Sequence, residues 1–413
     1  MAIKFLNLSK KFKTVRPNGF KFPTGLSYGS ANNTNAGVAT KSKSLGADLS
    51  LNEVSGPTSN SAVTFNSSGT FIPAFTGDVE ILVVGAGGAG GPAGDRGGGG
   101  GGGAGGVKYI SGQPVVMDSS YVVTVGGGGA VSPPSYFVAI SSSWSGSESN
   151  VAPIGIYGTG GGGGGKAGAP NPFPAYIGGG PTPVSNGAAG GSGGGGSSPG
   201  YSQETAPGGA ANTTGGQVGF GGQAGAKLDF YNTPAYGNGG GGGGAGQAGQ
   251  ARANTEASSP GGNGVEYSIS GVETYYGGGG GGGGSYVANN APGSVRAQYY
   301  IGFGGNGGGG EGGMVFSTDH LPQPARLIAG TADGPYPVSA NQQLAIDLGV
   351  GVAGTINRGG GGGGGGALQP NPTAQPAILA GSGAYNLAGS GGSGVVIFRF
   401  NTFQATSNTY IIN

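Results

Sequence analysis

Two stretches of the 413-residue chain have the spacing of known chemistry. "VEILVVGAGGAG" sets Gly85, Gly87 and Gly90 behind an apolar strand-like segment, the Gly-x-Gly-x-x-Gly form that seats a dinucleotide pyrophosphate. That chemistry needs a helix N-terminus at the glycines and an acidic residue about 20 positions on. The continuation "GPAGDRGGGGGGG" cannot be helical, because glycine and proline are the poorest helix formers. "GGGGGGK", ending at Lys166, has the outline of a phosphate-binding loop, but Ala167 stands where the loop needs a Ser or Thr for Mg²⁺. His320 is the sole histidine, and Asp229, Glu273, Glu311, Asp319, Asp333 and Asp347 sit in no catalytic phrase. With no cysteine there is no thiolate metal site and no disulfide framework. The expectation is a protein that is not an enzyme and that holds no cofactor and no metal.

Binding chemistry is better represented. Tyr136, Phe137, Trp144 and Tyr157 stand in one stretch, Phe230, Tyr231 and Tyr236 in a second, and Tyr286, Tyr299 and Tyr300 in a third. Tyrosine and tryptophan supply large amphipathic contact area at low entropic cost, so binding loops favour them. The plainer reading is that some of them only cap the scaffold. Lys10, Lys11, Lys13, Arg16 and Lys21 make the N-terminus basic, and their spread among phenylalanines suits docking on an acidic protein surface better than nucleic acid.

The elements that must position these residues are unusual. Glycine contributes 107 residues and proline 26, while 8% are charged and the net charge is +1. Such a composition leaves too few side chains for a conventional core. Glycine runs recur at uneven spacing, including eight residues at 277–284 and eight at 359–366, so neither a fixed-period solenoid nor collagen fits. Strand-like pieces flank them: Val63 to Phe65, Thr70 to Phe75 and Val79 to Val84 before, "GVVIFRF" from Gly394 to Phe400 after. The N-terminus lacks the apolar stretch of a secretory signal and no run approaches a membrane span, which predicts folding in a cytosol without export by that route.

Flexible linkers would leave "VEILVV" and "GVVIFRF" as exposed sticky edges. A lattice answers the composition better. A three-residue-per-turn extended helix has no internal hydrogen bonds and points every N–H and C=O outward. Buried groups of that kind need partners. Helices without Cβ atoms can approach closely enough to bond sideways, the arrangement called polyglycine II. The predicted fold is therefore mostly irregular with few short β-strands and almost no α-helix. It is a polyglycine II bundle closed by a small β element in which Val79–Val84 and Val395–Phe400 can pair. Pure glycine belongs inside such a bundle, with Ala, Ser or Asn on outer faces. The segments are a basic docking arm (1–60), the small β element (61–84), the bundle with its aromatic loops (85–394), and a closing strand with a polar tail (395–413).

"FNSSGTFIPAFTGDVEILVVGAGGAGG", "YVVTVGGGG" and "GGSGVVIFRF" resemble the glycine-rich domain of bacteriophage tail-fibre and receptor-binding proteins, over roughly residues 61 to 400. The resemblance implies a virion protein made in a host cytoplasm, with a tail-fibre or fibre-tip adhesin that grips a bacterial surface receptor through loops as the leading expectation. Capsid decoration is the structural alternative, and ice binding a third reading that the irregular threonines disfavour. The arm would meet other virion proteins. Phage fibres are commonly trimers, whereas a bundle with enough internal helices is self-contained.

Overall fold

The computed structural model describes residues 49–54, 60–93, 97–131, 144–166, 186–198, 206–222, 238–250, 259–284, 302–313, 349–366, 388–401 and 411–412. Among them there is no α-helix; most of the chain is irregular, with short antiparallel strands in small sheets and one 3-10 turn at Thr214–Gly216. The first sheet has the order β1 (Leu49–Val54), β2 (Asn60–Phe65), β11 (Val395–Asn401), β4 (Gly77–Val84), β5 (Val107–Val115). The second runs β12 (Ile411–Ile412), β3 (Gly69–Ile72), β6 (Tyr121–Thr124), β7 (Ser149–Ala152), β8 (Ile156–Gly158).

Alternation along the strands explains how the sheets stack. Val79, Ile81 and Val83 of β4 and Val396, Phe398 and Phe400 of β11 face Phe71, Tyr121, Val123, Val151 and Ile156 of the second sheet in one core. The intervening Leu82, Val84, Val395 and Ile397 are also buried, against a hairpin of β9 (Val265–Tyr267) and β10 (Thr274–Tyr276). A sheet covered on both faces reads as a near-continuous apolar run, which is what "EILVV" and "VVIF" are. Val79 to Val84 does pair with Val395 to Phe400: Val84 stands opposite Val395 and Glu80 opposite Arg399. The predicted strand from Thr70 stops at Ile72, since Pro73 has no N–H for the ladder. Strand structure also extends beyond 61–84. β1 lies within the stretch read as the basic arm, and β5 to β10 lie between glycine runs.

The glycine runs lie beside one another, cross-linked by peptide hydrogen bonds with a three-residue rhythm. In 97–106, the N–H groups of Gly99, Gly102 and Gly105 donate to Gly365, Gly362 and Gly359; those of Gly100, Gly103 and Gly106 donate to Gly165, Gly162 and Thr159; those of Gly101 and Ala104 donate to Gly240 and Gly243. Its carbonyls accept from three further runs: Gly100 and Gly103 from Gly91 and Gly88, Gly101 and Ala104 from Gly195 and Ser192, Gly99 and Gly102 from Gly283 and Gly280. This run is thus surrounded by 85–91, 159–165, 191–198, 238–244, 277–284 and 359–366. The remaining runs follow each other around the outside by the same bonding: 126–131, 388–394, 349–355, 309–313, 302–306, 259–264, 246–250, 218–222, 206–212 and 186–190, with 144–147 next to 126–131 on the other side.

Contact this close has no room for a Cβ. One built on Gly101 would fall on the carbonyl oxygen of Gly280, one on Gly100 on that of Gly195, and one on Gly102 on that of Gly88. Side chains enter where the three-residue rhythm leaves a gap. In 85–92 the Cβ directions of Gly85, Gly88 and Gly91 meet Thr159, Gly162 and Gly165, and those of Gly87 and Gly90 meet Gly360 and Gly363. The third direction belongs to Ala86, Ala89 and Pro92. Ala86 and Ala89 are fully buried, as is Ala104 in the central run, so alanine is not confined to outer faces as the sequence suggested. In 85–92 the tolerance is set by direction around the rod, whereas Ala104 is in phase with the blocked Gly98 and Gly101 and is accommodated where its run nears the sheets.

Candidate functional site

Every run has one end at the sheets and one away from them. At the sheet end Gly85 N–H donates to Gly106 O, Gly106 to Thr159, Gly105 to Gly359, Gly277 to Arg358 and Gly394 to Gly126. At the far end Gly91 donates to Gly100, Gly99 to Gly365, Ser198 to Gly98, Gly239 to Gly283, Gly284 to Gly313 and Gly366 to Gly349.

The two ends are joined differently. At the sheet end the connections are tight and held by side chains. The Gln217 amide behaves like one more peptide group: its Oε1 accepts from Thr159 N–H (2.8 Å), and its Nε2 donates to Asn212 O (2.7 Å) and Thr159 Oγ1 (2.8 Å). Lys108 Nζ donates to Gly215 O (2.7 Å) in the neighbouring turn, and Arg358 Nη1 donates to Tyr275 O (3.1 Å). Gln217→Ala removes three hydrogen bonds at a residue only 3% exposed. At ~1 kcal/mol each the expected loss is about 3 kcal/mol, read as a lower urea midpoint at unchanged slope.

At the far end the described runs stop on either side of the long intervening segments. Residues 167–185, 199–205, 223–237, 251–258, 285–301, 314–348 and 367–387 each depart from and return to described residues there, such as Gly165, Ser198, Gly222, Gln250, Gly284, Gly313 and Gly366. Small polar residues at this end are buried: Ser197, Ser198, Asn238 and Ser259. Two ionisable groups share it. Burial lowers the pKa of the Lys166 ammonium, which ends the run once comparable with a phosphate loop. Burial raises the pKa of the Glu311 carboxyl. A raised carboxyl pKa means that the folded state holds the proton more tightly than the unfolded chain, so stability falls as pH rises from the ordinary carboxylate range through the raised value. Glu311→Gln is expected to melt higher than the parent at neutral pH, with the gap closing below the ordinary range; melting curves between pH 4 and 8 check this.

Of the aromatic candidates, two are described. Trp144 is 2% exposed, its carbonyl accepting from Ala89 N–H (2.7 Å), so it presents no surface to a partner and closes the flank of the bundle. Tyr157 is half-buried on β8, at the sheet end, with its hydroxyl beside Gly215. The structure therefore sets Tyr157 apart from the far end and leaves Trp144 buried within the bundle. Tyr136, Phe137, Phe230, Tyr231, Tyr236, Tyr286, Tyr299 and Tyr300 lie outside the described residues, as do Lys10, Lys11, Lys13, Arg16 and Lys21. Phe230, Tyr231 and Tyr236 fall in a segment whose two ends are at the far end, and Tyr286, Tyr299 and Tyr300 in another. No signal in the sequence marked Gln217 or Lys108 as caps.

Among the described residues no cluster of His, Cys, Asp and Glu could hold a metal ion, and no helix is long and apolar enough to cross a membrane. The fingerprint glycines Gly85, Gly87 and Gly90 are bonded to Gly106, Gly392 and Gly389 in place of a helix N-terminus. No curated protein matches the sequence. A family model described as a glycine-rich domain matches residues 64–401, from β2 to the last residue of β11. With that match spanning most of its length, the chain belongs to the glycine-rich domain family.

Proposed function

We propose that the chain is a receptor-binding adhesin of a phage particle, in which a polyglycine II bundle serves as a rigid base for recognition segments at its far end. The lattice reading is supported by the three-residue rhythm of partners, because an extended helix with three residues per turn returns each peptide group to the same side every third residue. The adhesin reading is carried by one observation: the described runs that flank the long segments end opposite the sheets, while the turns at the sheet end are short. Binding residues are disproportionately found on loops positioned by a rigid scaffold. Gathering several such loops at one pole gives a composite contact surface, and Phe230, Tyr231, Tyr236, Tyr286, Tyr299 and Tyr300 would supply its aromatic anchors.

In the same proposal the N-terminal basic arm docks on other virion proteins, which puts the attachment on the sheet side, where β1 begins, and leaves the far end free to meet the host. Adsorption decides the matter. Virions lacking the protein are expected to fail to attach, and particle images to show it at the tail tip with its far end outward. Normal attachment, or a position on the capsid shell, would overturn the adhesin reading and leave the bundle as a decorating spike.

A further inference from the structure

Peptide bonding between the runs also decides the fate of certain side chains. Asparagine is a thermolabile residue, and most of all before glycine. The glycine nitrogen, unhindered because its residue has no Cβ, attacks the side-chain carboxamide carbon, closes a five-membered succinimide and expels ammonia. Water then opens the ring to aspartate or isoaspartate. The attacking nitrogen must give up its proton, so an N–H held by an acceptor is protected. Four such steps lie among the described residues: Asn186–Gly187, Asn238–Gly239, Asn263–Gly264 and Asn306–Gly307. In three of them the glycine N–H is bonded to another part of the bundle, Gly187 to Pro207 O (3.0 Å), Gly239 to Gly283 O (3.0 Å) and Gly264 to Asn306 O (2.7 Å). Gly307 N–H donates to none of the described residues.

We infer that Asn306 is a modification site, deamidating spontaneously to aspartate and isoaspartate with water as the co-reactant, while the fold holds the other three steps inert. The asparagine side chains differ in the same sense. Asn238 is 1% exposed. The Asn263 carboxamide is pinned at both atoms, its Oδ1 accepting from Asn306 N–H (2.9 Å) and its Nδ2 donating to Gln247 Oε1 (3.0 Å). The Asn306 carboxamide has no hydrogen bond among the described residues, and Asn306 is part-exposed although Gly307 behind it is buried. Asn306 to Gly308 form a turn, with φ +99° at Gly307 and +94° at Gly308, so this step departs from the extended geometry of the runs. The turn joins 302–306 to 309–313. Isoaspartate reroutes the backbone through the former side chain, adding a methylene between Asn306 N–H, bonded to Asn263, and Gly307 O, which accepts from Gly278 N–H (3.1 Å). It also turns the carbonyl that accepts from Gly264 into a free carboxylate. Ageing at this one turn thus loosens an outer run of the bundle.

The full chain is aged in heavy-oxygen water at mildly alkaline pH, both folded and in urea, and each asparagine–glycine step is followed by peptide mass spectrometry. In the folded protein Asn306 is expected to take up label about tenfold or more faster than Asn186, Asn238 and Asn263, whereas in urea the four should convert at similar rates. Amide exchange at Gly307 should outrun exchange at Gly187, Gly239 and Gly264. Asn306→Gln, whose ring closure would be six-membered and slow, should lose the label at that step. Aged parent protein is expected to melt lower than fresh parent, and aged Asn306→Gln to melt like fresh Asn306→Gln. Conversion at Asn306 no faster than at the other three steps, or slow exchange at Gly307, overturns the assignment. So does an equal lead of Asn306 in urea, which would place the cause in local sequence and not in the fold.

Discussion

Gly280→Val and Gly362→Val are each expected to abolish native folding. A Cβ on Gly280 falls on the carbonyl oxygen of Gly362, and one on Gly362 falls on that of Gly389, so the obstacles are backbone atoms of adjoining runs and cannot rotate away. Relief requires 359–366 to separate from 388–394 for Gly362→Val, and from 277–284 for Gly280→Val. The latter separation breaks Gly361 N–H to Gly278 O and Gly364 N–H to Gly281 O, both 2.9 Å, and strains the bonds each run makes with its other neighbours. Each buried peptide group left without a partner costs about 1–3 kcal/mol. A handful of them exceeds the roughly 5–15 kcal/mol by which domains are stable. Even alanine is excluded at these positions, because the first carbon is already the one that clashes. Gly127 is the control: exposed, with nothing within 4 Å of a built Cβ, it should accept alanine with little change or a gain of about 0.4–1 kcal/mol. Soluble yield and circular dichroism of the three variants test this; native-like Gly280→Val would show that the runs are loosely associated.

The same geometry explains what was legible in the sequence. "GAGGAGGPA" already carries the register of its run, since Ala86, Ala89 and Pro92 recur every third residue while the glycines between them point at carbonyls of two neighbouring runs. "VEILVV" and "GVVIFRF" announced buried strands, and their pairing across some three hundred residues followed from the cost of leaving both exposed. The extent of the β structure was hidden. β7 and β8 are "SNVA" and "IYG", too short and too mixed in composition to stand out, and they exist because Val151 and Ile156 complete a core begun elsewhere.

Polarity of the bundle was also unreadable. Which turn lies at which end depends on how many times the chain has crossed, and run lengths alone do not count crossings when a stretch such as 186–198 folds back on itself at Gly191. Among the aromatic residues, composition could not separate binding from closure. Trp144 and Tyr276 are both buried, the latter beneath Arg358, whose guanidinium carbon lies 5.8 Å from the ring centre. A tyrosine's position in a loop-like phrase says nothing of the end at which that phrase emerges.

Phe398→Ala is the second substitution with a large expected effect, and it tests whether the sheets and the bundle are one cooperative unit. The Phe398 ring is fully buried, stacked on Phe71 with centroids 4.3 Å apart and set edge-on to Phe65 at 5.9 Å. Truncating a core phenylalanine costs about 3–5 kcal/mol, and loss of the aromatic pairs belongs to that figure. Trimming the exposed Val122 on the second sheet should stay within about 0.5 kcal/mol. β4 passes directly into the first run at Gly85, and β11 continues directly from the last run at Gly394. The hydrogen bonds from Gly85 to Gly106 and from Gly394 to Gly126 form at that junction. Loosening the sheets therefore frees the first and the last run at once. Amide exchange at Ile81 in the sheet and at Gly101 in the central run should accelerate by the same factor in Phe398→Ala, as expected when both open in a single event. Acceleration confined to Ile81 would mean that the glycine runs hold together without the sheets, and that the strands anchor the bundle without stabilising it.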